Sequence, residues 1–187
     1  MTNLIVFVNY TRLEDTIISG YAISIIYIGM SLGSIILGPF ADNYEPKSIL
    51  VASFSATGIG SALMLLFSPN TSVLLLAGSF GILGFGLGAN ATIFMRVVLS
   101  GIPIEKSGVA TETYGLFHDL AVPFGVSVFV PLFTNRVTGN VAAGYDEISA
   151  AVNSIKTLAL IEIACVAVGV IIVLFSPKIH SVTKDRR

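Results

Sequence analysis

The chain has 187 residues, 54% of them hydrophobic and only 11% charged, with a formal net charge of −1, whereas soluble domains carry about 25% charged residues. So few charges cannot cover a water-facing surface, and a domain of this size buries only about two-thirds of the surface its unfolded chain exposes. With a mean hydropathy of +0.88, the composition excludes an ordinary soluble fold and makes the bilayer the solvent.

In chain order, the opening segment MTNLIVFVNYTR lacks a basic n-region and a small-residue cleavage site, so it does not read as a secretory signal. It has the character of a helix with its front missing. No charge then occurs from Thr16 to Ala41 or from Ser48 to Met95, and charges are scattered from Gly108 to Pro177. A membrane-spanning helix takes about 20 apolar residues. The long middle run is therefore two spans, broken at the turn-forming cluster Ser68-Pro-Asn-Thr-Ser72. Five spans are expected, at 17–41, 48–67, 73–98, 108–134 and 155–175, followed by a basic tail at 178–187. Lipid leaves only helices or a closed barrel, and apolarity that is continuous rather than alternating selects helices. The expected fold class is an all-α integral membrane bundle, one transmembrane domain of about five helices plus an N-terminal half-helix.

Basic residues set the orientation. If the turn around Asp42 is cytoplasmic, that side holds Lys47, Arg96, Lys106, Lys178, Lys184, Arg186 and Arg187, against Arg12, Arg136 and Lys156 on the other. The chain is thus expected to be multi-pass in the plasma (inner) membrane with its C-terminus cytoplasmic. In the turn itself, Asp42 is placed to accept from the free N–H groups of the helix starting near Pro46 to Ser48, a favourable position for negative charge. Lys47 is expected to meet lipid phosphates or an acid.

The third span is rich in glycine, in GSFGILGFGLGAN. Gly84 to Ala89 matches the dinucleotide pattern G-x-G-x-x-A, but no strand precedes it and the surroundings are apolar throughout, so that reading fails. The pairs Gly84/Gly88 and Gly29/Gly33 have the small-xxx-small spacing that lets membrane helices approach closely. Asn90 and Thr92 follow, with packing the favoured role.

The fourth span holds the constellation most suggestive of function. At 100° per residue, Gly108, Glu112, Gly115, Asp119, Val122 and Val126 lie within about 40° of one line. A carboxylate within lipid costs about 2.5 to 3.5 kcal/mol on insertion scales and marks a functional candidate. Asp119 is the first candidate for proton or cation coupling and Glu112 the second. His118, about 100° away, titrates near neutral pH and can shuttle protons. The plainer reading puts Glu112 among headgroups and Asp119 one turn inside, paired with Arg96 or Lys106. Pro123 and Pro131 remove backbone donors and are expected to bend this span. In the last span, Glu162 follows Lys156 closely, and a structural pairing or snorkelling is expected. Cys165 is a small apolar residue within the same run. No catalytic triad, metal-ligand cluster or phosphate loop appears, so neither an enzyme, a cofactor nor a nucleic-acid partner is expected.

Two stretches carry a resemblance. GPFADNYEPK, Gly38 to Lys47, resembles the Gly-x-x-x-Asp-Arg-x-Gly-Arg-Lys loop of the major facilitator superfamily at Gly38, Asp42 and Lys47. Asn43, Glu45 and Pro46 replace that loop's Arg, Gly and Arg. IPIEKSGVATETYGLFHDLAVPFGVSVF, Ile102 to Phe129, is similar to a pattern of fourteen-span drug:proton antiporters at Pro103, Glu105, Gly108, Ala110, Leu120, Gly125 and Val126. His118 stands where those proteins tend to have Arg, and Ala121 and Val122 replace a glycine pair.

The resemblance implies the C-terminal portion of such a transporter, an incomplete C-lobe, since twelve to fourteen spans need roughly 240 to 280 residues for their helices alone. It implies proton-coupled efflux of drugs or other small molecules between two rocking lobes. The facing lobe would come from a second chain or by self-association. The alternative, from another class, is a membrane-embedded interaction protein or degenerate remnant that transports nothing.

Overall fold

The computed structural model describes residues 16–100 and 102–176. The expected N-terminal half-helix and basic tail lie outside them. Five α-helices follow in order: α1 (Thr16–Asn43), α2 (Pro46–Met64), α3 (Val73–Ser100), α4 (Ser107–Ala142) and α5 (Glu147–Phe175), with one 3-10 turn at Ile104–Lys106 before α4. There is no strand among the described residues, and all five helices are long and apolar enough to cross a membrane. In lipid a helix pairs its own backbone groups, so apolar length becomes helix directly.

Local chemistry sets the breaks. Pro46 stands in the first turn of α2, where its missing N–H would have had no helical partner and its fixed φ suits the start. Between α2 and α3, the Ser68 amide donates to Thr71 Oγ1 at 2.6 Å and the Thr71 hydroxyl returns a bond to the Ser68 carbonyl at 2.7 Å. Between α4 and α5, Gly144 has φ +96°, in the left-handed region that a side chain disfavours. Asp146 then caps α5 by accepting from the Ser149 amide at 3.1 Å. The Ser149 side chain and amide hold the Asp146 carboxyl below its ordinary range.

The helices overrun the apolar runs. At 36 residues, α4 is about 54 Å long against a hydrocarbon layer of about 30 Å. It continues through Thr134–Ala142, and α5 begins at Glu147, ahead of its apolar run. Hydropathy records where lipid is tolerated; helix continues wherever its hydrogen bonds can. Pro123 and Pro131 both lie inside α4, which remains a single helix through them.

α3 is central, with α1 on one side and α2 on the other. α2 also carries α5, and α5 carries the C-terminal half of α4. α2 and α5 run antiparallel, so Lys47 meets Leu174, Phe54 meets Gly169 and Gly58 meets Val166. The larger apolar core joins Phe67, Phe80, Phe133, Ala150, Ala151 and Ile155; a smaller one joins Ile49, Leu50, Ala89, Ile93 and Val173. Burial is uneven: 44% of the most apolar window of α3 is buried inside the bundle but only 6% of that of α4.

Candidate functional site

The acids of α4 sit on its unpacked half. Phe133 and Val137 are the buried residues of that helix, whereas Glu112, His118 and Asp119 are exposed. A methyl group at Gly108 or Gly115 would meet nothing within 4 Å. Along this half the side chains interact with one another: His118 Nδ1 lies 3.5 Å from Asp119 Oδ1, at the long limit of a hydrogen bond. The Tyr114 ring tilts toward His118 with centroids 6.2 Å apart. The side-chain contact that Asp119 makes is with His118, its sequence neighbour. A carboxylate beside an imidazole can hold and pass a proton.

The interior carries a second polar system. Ser53, Thr57 and Ser61 of α2 are 0%, 3% and 0% exposed, spaced one turn apart on a single stripe. Ser53 donates to Asn90 Oδ1 on α3 at 2.5 Å. Thr57 and Ser61 donate to the carbonyls of Ser53 and Thr57, at 3.1 and 3.0 Å. Back-bonding of this kind satisfies a hydroxyl where no water is present. Sequence reasoning missed this stripe, although the i, i+4, i+8 spacing of three hydroxyls was its signal. Thr92 and Ser34 join α3 to α1 through a 2.7 Å hydroxyl pair.

Two sequence expectations need correcting here. Lys156 and Glu162 are about 120° apart around a helix, on different faces, and no ion pair joins them among the described residues. Lys47 meets no acid among the described residues: its Nζ donates to the carbonyls of Leu174 at 2.6 Å and Ser176 at 3.2 Å, where a cation favours the negative end of α5. In the same turn, the N-cap of α2 is Glu45, with no side-chain cap bond. The side chain of Asp42 lies outside the described residues. Gly38 is buried, with Thr92 Cγ2 3.6 Å from where a Cβ would stand.

The glycines form the seam between α1 and α3. A methyl group at Gly29 would strike the Gly81 carbonyl oxygen, at Gly33 that of Phe85, at Gly84 that of Ile26, and at Gly88 that of Met30. Backbone meets backbone along three turns, the approach that glycine alone permits. Among the described residues, no three His, Cys, Asp or Glu side chains gather as metal ligands.

Five membrane-length helices, knitted by glycine contacts and internal hydroxyl bonds, define a multi-pass integral membrane protein. The family model of the Major Facilitator Superfamily matches residues 1–126. The chain belongs to that superfamily, whose members are transporters rather than enzymes. It is similar to the multidrug efflux pump LfrA of Mycolicibacterium smegmatis, 26% identical over 54% of this chain and 20% of that protein. It also resembles the riboflavin transporter RibZ of Clostridioides difficile, 29% identical over 65% of this chain and 27% of the relative. The niacin transporter NiaP of Acinetobacter baylyi is 32% identical over 57% of this chain and 25% of its own length. The chain thus spans between a fifth and about a quarter of these curated relatives. No solved structure matches it.

Proposed function

We propose that this chain works in proton-coupled export of small molecules, drugs or other compounds, from the plasma (inner) membrane with its C-terminus cytoplasmic. The observation that carries the reading is the acid-bearing half of α4, apolar enough to lie in a membrane yet unpacked. A carboxylate in lipid is tolerated where it faces a cavity or a partner, and Asp119 with His118, and Glu112 about two turns away, would face such a cavity once a second lobe covers them. That lobe would come from a second chain or a second copy. Asp119 takes the coupling proton, His118 relays it, and Glu112 lines the path. The relative named for multidrug efflux supports the direction of transport; those named for riboflavin and niacin leave the cargo a small organic molecule in general.

The test is dye efflux from energised vesicles containing this chain alone, or with the product of the neighbouring upstream gene. Efflux that collapses on Asp119→Asn, without loss of inserted protein, supports the reading. No efflux from any well-inserted combination rejects it in favour of a membrane interaction protein or remnant.

A further inference from the structure

The uncovered half of α4 carries charge that the bundle does not balance. α5 packs on the C-terminal half, where Phe133 and Val137 are buried. Ahead of that half, Leu116, Phe117, Leu120, Val122 and Phe124 are each more than half exposed, an apolar collar that suits lipid at the level of Asp119. Glu112 and Asp119 share a face, seven residues and about 10 Å apart. The side chain that meets Asp119 is His118, at 3.5 Å, and no ion pair reaches Glu112 among the described residues. Two carboxylates are left with one imidazole, in a medium where unpaired charge is costly.

No other cation among the described residues reaches that level. Asp119 stands twelve residues, about 18 Å, from the start of α4. Lys106 precedes that start, Lys47 lies in the first turn of α2, and Arg96 is four residues, about 6 Å, from the end of α3, all at one end of the bundle. Toward the other end, Arg136 is seventeen residues, about 25 Å, beyond Asp119. Asn140 of α4 donates to the Ala150 carbonyl and to Ser154 of α5, a register that sets Lys156 near the level of Arg136. A second copy at the same depth and orientation repeats these positions. It would add two carboxylates for one imidazole, and a two-fold axis through this face would set Asp119 against Asp119, a like-charge pairing that opposes association.

We propose that the first half of α4 is a docking surface for a transmembrane helix of a different chain, one that carries arginine or lysine at the depth of Asp119. Pairing there relieves both charges of their cost in lipid. Gly115, one turn from Asp119 on the same line and open to its surroundings, lets the incoming backbone come close. Glu112 is placed for a second basic residue two turns along that helix. A part in transport rests on the reading above, with the incoming cation competing with the coupling proton for Asp119; the docking surface itself does not rest on it.

The probes are synthetic transmembrane peptides of leucine and alanine with a single Arg, stepped one turn at a time along the helix, and the same peptides with Gln in its place. Energy transfer between labelled peptide and the labelled full chain in phosphatidylcholine vesicles reads association. It should peak for one Arg position and be lost with the Gln peptides, in Asp119→Asn and in Gly115→Leu, which fills the approach without touching the packed core. Equal association of the Gln peptides, or of the Arg peptides with Asp119→Asn, overturns the proposal. Energy transfer between two differently labelled copies of the chain that Asp119→Asn abolishes also overturns it, in favour of a second copy. Vesicle efflux separates the two readings. Arg-dependent association without efflux from any combination leaves the surface standing and removes the transport reading. Efflux that Asp119→Asn abolishes, with no Arg-dependent association, overturns the surface and leaves the transport reading.

Discussion

The seam between α1 and α3 and the first half of α4 are built from similar residues, apolar with glycine and a few polar groups, and end in opposite states. Along the seam, glycines bring two backbones into contact and Ser34, Thr92 and Asn90 find partners on neighbouring helices. Along α4, Gly108 and Gly115 face open space and the acids interact only locally. Composition alone does not decide whether a glycine is a contact. A facing helix does, and the polar residues go with it: satisfied where a helix is present, presented outward where none is.

The largest effect should come from filling the seam. Gly33→Leu drives side-chain atoms into the Phe85 backbone and should cost about 3 kcal/mol or more, beyond the usual overpacking range because backbone cannot yield. Gly115→Leu on α4 should stay within about 0.5 kcal/mol. Denaturation in mixed micelles compares them; equal costs would mean that the first half of α4 is packed after all. Next, Asn90→Leu strips Ser53 of its acceptor, and interhelical hydrogen bonds in membranes are worth roughly 0.6 to 1.7 kcal/mol. The same assay should register that loss, while Asp119→Asn leaves stability unchanged.

Smaller effects lie at the helix ends. Lys47→Met removes the cation from the last carbonyls of α5 and should speed amide exchange in its final turn without altering its middle. At the other end, the Asp146 carboxyl is held below its ordinary range, first by the Ser149 side chain and then by the Ser149 amide. A depressed folded value means that its contribution is present above the pKa of the unfolded carboxyl and lost as pH falls through the folded one. Exchange at the Ser149 amide should therefore quicken on acidification, and Asp146→Asn should abolish that dependence.

Much of the fold was legible because lipid imposes a simple rule: long uncharged runs separated by Ser68-Pro-Asn-Thr-Ser72 or by Tyr44-Glu45-Pro46 become antiparallel helices. The shared face of Glu112 and Asp119 followed from helical geometry alone. What escaped depends on which way helices turn toward each other. The partners of Lys47 are set by the register of α2 against α5, and that of Ser53 by the rotation of α2 against α3; both are non-local. The outer limits of α4 and α5 escaped for another reason, since polar segments such as Thr134–Ala142 carry helix beyond the lipid, where hydropathy no longer reports it.

The bond from Lys47 to Leu174 spans 127 residues of chain. At synthesis rates of about 5 to 20 residues per second, α2 waits on the order of 6 to 25 s for α5 to emerge. During that interval Gly58, on the same helix, lacks the Val166 side chain that finally packs beside it. Insertion of this chain is therefore an ordered assembly, in which α5 completes the neighbourhood of α2 only after α3 and α4 have left the ribosome.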